Sequence, residues 1–227
     1  MILSVPSYVI PGTYGENVEF LAGVPEVRAV ELLFYYFDAD SRDLFIREKD
    51  LIASYKERFG FAVHMPEPLK PEHEILIDLT RDLCSRYILH PPAGDPHFFH
   101  EWVAGWQKRY GPVFLIENLI DRDFDPLAEM IASLPVCCDT GHLLLGGSDV
   151  AAFLRRYGPR VREIHLHGVV EGRDHRCFEG TEPWFQAIVP MLRSFQGVVN
   201  LEVFSLAEVR QLIGVLVRAG VLPGGSS

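Results

Sequence analysis

Eight apolar, β-rich runs alternating with stretches of helical period predict a single α/β domain, a compact (β/α)8 TIM barrel. Three observations carry this expectation. The chain has 227 residues, which suits one such barrel and shows no linker between two domains. The β runs are apolar on both faces, as parallel strands covered by helices are. No G-x-G-x-x-G turn follows a strand, so nothing favours an open doubly wound sheet. The barrel is expected to span residues 1–222, with 223–227 as a flexible Gly/Ser tail.

Taken in order, the predicted strands are 7–10, 30–36, 61–65, 86–90, 113–117, 136–139, 162–166 and 198–203. The first helix follows Thr13, an N-cap with Glu16 three residues on, which is a capping-box pattern. The second runs over 41–60, with Leu44, Ile46, Leu51, Ile52 and Tyr55 near one face and Gly60 as its exit. Helical stretches follow at 71–87, 95–111, 125–134, 149–158, 182–197 and 206–220. Asp or Ser entries and Gly exits are the start and stop signals expected of helices. Trp102 and Trp106, four apart, are read as one helix face packed on the barrel.

Composition narrows the function. Lys plus Arg number 21 and Asp plus Glu 31, a net charge of −10. That sign repels a phosphate backbone, so general nucleic-acid binding is not expected. Cys84, Cys137, Cys138 and Cys177 form no C-x-x-C pair and read as free thiols of a reducing cytosol. The N-terminus lacks a basic, then apolar leader pattern, and no run of about 18 apolar residues suggests a membrane span. A cytoplasmic protein with no membrane partner is expected; its oligomeric state is open.

The informative feature is what ends the strands. The last six predicted strands end at or near His64, His90, Glu117, Asp139, His165 and Glu202. Their separations are 26, 27, 22, 26 and 37 residues (64 to 90, 90 to 117, 117 to 139, 139 to 165, 165 to 202). One βα unit of a compact barrel is about 25 residues, so these groups recur once per unit and converge on the C-terminal mouth. Bare ions cannot share such a mouth, because each unpaired buried charge costs several kcal/mol. Divalent cations remove that cost, and mixed imidazole and carboxylate donors suit Zn²⁺, Mn²⁺ or Fe²⁺. The exit loop CDTGH adds His142, three residues after Asp139. The loop GRDH adds Asp174 and His175, nine and ten residues after His165. His167 can reach the mouth or support it. Glu31, early in strand two, faces the barrel interior or begins a buried ion pair. His73, His97 and His100 are expected to be solvated.

This strand-by-strand ligand set, FAVHMP, ILHPP, LIENL, CDTGH, EIHLHG, GRDH and NLEVF, resembles the xylose-isomerase-like barrel superfamily. The likeness covers nearly the whole chain and is to the endonuclease IV (AP endonuclease 2) branch in particular. Within that superfamily, SYVIPGTYGENVEFL, ELLFYY and IHLHGVVEGRDH look most like cobamide-remodelling phosphodiesterases, which hydrolyse the nucleotide-loop phosphodiester of vitamin B12-type cofactors. The resemblance implies two or three divalent ions per chain. His64 and His90 would hold one, Glu117 would bridge two, and Asp139, His165 and Glu202 would complete the second. His142, Asp174 and His175 match a third. The branch usually carries a residue between that last Asp and His; here they are adjacent.

The activity implied is metal-dependent phosphodiester hydrolysis of a small-molecule cobamide substrate, with Glu117, Glu202 and His142 as the catalytic set. Arg173, Arg122 and His167 are candidates to hold substrate. The alternative is a Mn²⁺-dependent sugar (phosphate) isomerase or epimerase, in which Glu117, Asp139, His165 and Glu202 hold one ion and the glutamates move protons. A DNA-lesion endonuclease ranks lower because of the net charge, and a non-catalytic corrinoid- or metal-binding module ranks last.

Overall fold

The computed structural model describes residues 1–91, 96–120 and 124–224. Its centre is a closed, all-parallel barrel of eight strands. In chain order these are β1 (Ile2–Pro6), β2 (Ala29–Leu33), β3 (Gly60–His64), β4 (Cys84–Leu89), β5 (Phe114–Glu117), β6 (Val136–Asp139), β7 (Val161–His165) and β10 (Val198–Asn200). The ring closes where β1 pairs with β10, Ser4 opposite Asn200. Between β7 and β10 the chain makes a small antiparallel hairpin, β8 (Gly168–Val170) and β9 (Arg173–Arg176). The helices are α1 (Tyr14–Leu21), α2 (Ala39–Ser54), α3 (Glu74–Thr80), α4 (Pro96–Tyr110), α5 (Phe124–Met130), α6 (Thr140–Leu145), α7 (Val150–Tyr157), α8 (Pro183–Ser194) and α9 (Leu206–Arg218). No described helix is long and apolar enough to cross a membrane. The four cysteines are free thiols.

Local chemistry explains the starts. The capping box at α1 forms as expected: the Glu16 amide donates to Thr13 Oγ1, and the Thr13 amide donates to the Glu16 carboxylate at 2.7 Å. Such a cap contributes about 1 kcal/mol. Asp38 caps α2 in the same reciprocal way with Ser41.

Five expectations need correction. The first strand is Ile2–Pro6, and residues 7–10 are a loop. The Asn17 side chain takes the Val9 and Ile10 amides, so those donors need no neighbouring strand. On α2 the buried face is Phe45 and Ile52, while Ile46 and Leu51 are exposed. Burying each such side chain is worth roughly 1.5–3 kcal/mol, which sets the helix's rotation on the barrel. Residues 140–145, placed in a loop, are the helix α6, and GRDH is a hairpin strand. His73 is buried, and its Nδ1 accepts the Lys70 amide. Trp106 packs inward, whereas Trp102 is half-buried against Phe98. Residues 225–227 of the expected tail lie outside the described residues.

Strand pleat places the site. Side chains alternate between the two faces with period two. One face of every strand packs under the helices. The other fills the barrel, where Ala62, Ile88, Leu115 and Cys137 form an apolar cluster of their own. The opposite half of this layer is polar: Ser4, Glu31, Glu163 and Asn200 are fully buried, and Arg86 Nε donates to Glu163 Oε2 at 2.9 Å. Two residues beyond this layer, on the same inward face, stand His64, His90, Glu117, Asp139, His165 and Glu202. All six therefore rise at the C-terminal mouth.

Candidate metal centre

Glu117 is the hub. Its Oε2 lies 3.4 Å from His64 Nε2 and 3.4 Å from His165 Nδ1. Its Oε1 lies 3.4 Å from His90 Nε2 and 3.3 Å from His142 Nδ1. His165 Nδ1 is also 3.0 Å from Glu202 Oε2 and 3.8 Å from Asp139 Oδ2. Most of these separations are too long for good hydrogen bonds. The 3.4 Å separations from Glu117 to His64, His90 and His165 match another geometry: donors bound tetrahedrally at about 2.1 Å to one ion lie about 3.4 Å apart. Buried and without a hydrogen-bond partner among the described residues are both Glu117 oxygens, both His165 nitrogens, His90 Nε2 and Glu202 Oε2. Buried polar atoms are almost always satisfied, so a set of orphans aimed at one another marks a place for a cation.

The other ring nitrogens make the same point. A metal-binding histidine donates its remaining N–H to a carbonyl or carboxylate, which fixes the tautomer. His64 Nδ1 donates to the Met65 carbonyl and His90 Nδ1 to Glu67 Oε2 at 2.8 Å. His142 Nδ1 donates to the Asn118 carbonyl at 2.9 Å, and His175 Nδ1 to the Glu202 carbonyl. Each leaves Nε2 with a lone pair. Those of His64 and His90 face Glu117, and those of His142 and His175 lie 3.9 and 3.8 Å from Asp174 Oδ2. These nitrogens belong to two of the clusters able to hold an ion, His64–His90–Glu117 and His142–Asp174–His175, with each one's donor atoms within 4.8 Å of one another; a further, fully buried one is Glu31–His64–His165–Glu202.

The adjacency of Asp174 and His175 is resolved by the backbone. Neighbours in a strand point to opposite faces. His175 has φ +51°, a left-handed conformation that breaks the alternation and returns its ring to the side of Asp174. The hairpin that carries the pair turns through Glu171 and Gly172, both at positive φ, as a two-residue turn of this twist requires.

Every residue of DTGH has work at this mouth. Asp139 Oδ1 accepts the His142 amide and so caps α6. Its Oδ2 accepts from His167 Nε2 at 2.9 Å. The Thr140 hydroxyl accepts the His167 amide and donates to the His167 carbonyl, strapping α6 to the end of β7. Gly141 is pressed on the His167 ring; a Cβ there would lie 2.0 Å from Cε1. Gly141→Ala therefore displaces a buried ring, breaks its bond to Asp139, and is expected to cost about 1–3 kcal/mol. A urea denaturation midpoint equal to wild type would contradict this packing.

Electrostatics follow from the crowding. Burial disfavours the charged forms throughout. Even so, the imidazoles of His90 and His165 hold the Glu117 carboxyl well below its usual range. In turn Glu117 and Glu67 push His90 up to about 10, and Asp139 and Glu117 push His142 up to about 10. Glu202 is likewise held down, against burial, chiefly by His165. Without a cation the cluster neutralises itself with protons; a cation must displace them.

The structure thus brings together His64, His90, Glu117, Asp139, His142, His165, Asp174, His175 and Glu202. His167 is not at the surface of the mouth: it is fully buried and both ring nitrogens are engaged, Nδ1 accepting the His175 amide. A substrate contact by His167 is corrected to support of Asp139. Arg173 is exposed and lines an open cavity of about 860 Å³ with Asp174, His175 and Phe204. Arg122 lies outside the described residues. Sequence reasoning left Glu31 undecided between the barrel interior and an ion pair. It is fully buried at the centre of β2, accepts from Asn200 Nδ2, and places Oε2 3.4 Å from His165 Nε2. That nitrogen faces away from Glu117 and Glu202, so Glu31 is positioned to orient the His165 ring. Glu31→Gln is expected to weaken the ion held through His165 by about 10–100-fold in chelator competition. An unchanged affinity would remove that role.

The chain matches no protein-family profile and no curated protein. Among solved structures it is similar to a probable 3-DHS dehydratase of Bacillus anthracis, with TM-score 0.66 and 12% identity, covering 96% of this chain and 98% of that one. It is similar to a 3-keto-D-glucoside 4-epimerase of E. coli, with TM-score 0.65, 11% identity, and 98% and 100% of the two chains covered. An AP endonuclease, family 2, of Brucella melitensis gives TM-score 0.57 and 14% identity over 90% and 93%. At such identities the likeness is one of fold, a (β/α)8 TIM barrel.

Proposed function

We propose that this protein is a metal-dependent phosphodiesterase acting on the nucleotide loop of cobamides. The observation that carries the metal dependence is the set of histidines whose Nδ1 atoms are tied to carbonyls or a carboxylate while their Nε2 atoms face the carboxylate of Glu117 or Asp174. His64, His90 and Glu117 would hold one ion, Glu117, Asp139, His165 and Glu202 a second, and His142, Asp174 and His175 a third. Bound divalent ions would supply Lewis-acid polarisation of the phosphate and a water of lowered pKa. Glu117 would be shared by the first two groups, since its Oε2 lies 3.4 Å from both His64 Nε2 and His165 Nδ1. His142 has Nδ1 committed to the Asn118 carbonyl, so Nε2 is the atom it would offer to the third ion. Arg173, a cation that lines the open cavity with Asp174 and His175, would hold a non-bridging phosphate oxygen. The cobamide assignment rests on the sequence resemblance of 7–21, 31–36 and 164–175.

The test is incubation with adenosylcobalamin and Mn²⁺, with mass spectrometry of the products. The two fragments of loop cleavage are expected; intact cobamide under Mn²⁺, Zn²⁺ and Fe²⁺ alike would overturn the assignment. A second reading, a sugar epimerase, is favoured by one feature: Glu117, Asp139 and Glu202 surround His165 Nδ1 within 3.0–3.8 Å, a one-ion set by itself. Elemental analysis separates the two, at one ion per chain for the epimerase and two or three for the hydrolase.

A further inference from the structure

Three large aromatic side chains stand exposed where the loops after β1 and β2 reach the mouth: Tyr8 at 50%, Tyr35 at 53% and Tyr36 at 76%. Tyr8 and Tyr35 each meet the Phe204 ring edge-on, at 6.2 and 6.3 Å between centroids. Phe204 in turn lies 4.8 Å from the His175 ring. The aromatic group is therefore continuous with the candidate metal centre. Behind it the tyrosines line a hollow of about 460 Å³, within the range of small-molecule sites. Exposed apolar area of this kind, set beside a catalytic mouth, marks a ligand surface.

We propose that this hollow is a subsite for a flat, uncharged heteroaromatic ring carried on a ribose, the base end of the substrate; this rests on the phosphodiesterase reading. The charges fix the direction. The hollow's ionisable wall residues, tyrosines aside, are Asp38 and Asp40, and no lysine or arginine lines it, so it repels a phosphate. Across Phe204 the second hollow carries Arg173 beside Asp174 and His175. A nucleotide-like substrate is thus held with its ring among the tyrosines and its phosphate over the ion-binding groups. A volume of this size admits one bicyclic ring and its sugar but not a tetrapyrrole-sized macrocycle, which stays outside the mouth. Aromatic faces hold rings by stacking at about 1–3 kcal/mol per base, without demanding a particular hydrogen-bond pattern.

The experiment is calorimetric titration of the metal-loaded full chain with benzimidazole riboside, and with free ribose as the ring-less control. The riboside is expected to bind at least tenfold more tightly than ribose. Tyr35→Ala and Tyr8→Ala are each expected to weaken it about tenfold with metal content unchanged, while Tyr35→Phe keeps wild-type affinity. Equal binding of riboside and ribose, or wild-type affinity in both alanine variants, would overturn the subsite. Riboside binding without cobamide cleavage would leave the subsite standing and remove the cobamide assignment. Cobamide cleavage with an unchanged KM in Tyr35→Ala would do the reverse.

Discussion

Glu117→Gln is expected to lower phosphodiester turnover on the order of a thousandfold, the scale seen when a group that organises transition-state charge is lost. The substitution keeps the size of the side chain and removes only its charge. Four imidazoles then lose the carboxylate they share, at 3.3–3.4 Å each. The two groups that meet at Glu117 lose a common donor, so elemental analysis is expected to show fewer than one ion per chain retained from them after dialysis. The third group, His142–Asp174–His175, does not include Glu117 and keeps its set. A variant that keeps full metal content and turns over at the wild-type rate would refute the hub assignment.

The second large effect is on stability, and it changes with pH. His90 and His142 titrate near 10 in the folded, cation-free protein, against about 6.5 in an unfolded chain. A group whose folded pKa is raised stabilises the fold fully below its unfolded value and loses that contribution as pH rises through the folded one. Chelator-treated protein is therefore expected to lose stability steadily between about pH 6.5 and 10, by several kcal/mol at most. Divalent ions reverse the trend, because ligation requires the deprotonated imidazole and grows stronger over the same window. Calorimetric Tm values for the two forms should diverge as pH rises. A constant gap from pH 6.5 to 9.5 would show that no protons are exchanged for the ion.

The barrel was legible in the sequence because its signals are periodic. Alternating apolar runs and capped helical stretches repeat, and one such unit recurs about every 25 residues. The strand-end residues were legible for the same reason: the pleat that buries Leu115 inside the barrel also turns Glu117 to the mouth. What escaped depends on single contacts. The first strand was misplaced because 7–10 is as apolar as 2–6, and only the Asn17 side chain decides between them. His167 looked like a mouth residue because i+2 from His165 implies the same face. The chain leaves β7 at His165, and the ring is enclosed by Asp139, Gly141 and His175. Glu67, which orients His90, stands in a segment without period, where no spacing argument reaches it.

The reversed backbone at His175 has a consequence for how such chains can diverge. A donor pair with one residue between its members reaches a common side on regular pleating. An adjacent pair reaches it by holding one non-glycine residue in the left-handed region, at a cost of about 1–2 kcal/mol. Deletion of the spacer and inversion of the following torsion are thus compensating changes. Alignments that match such pairs column by column will score this one as a loss, although His175 Nε2 and Asp174 Oδ2 still lie on one side, 3.8 Å apart.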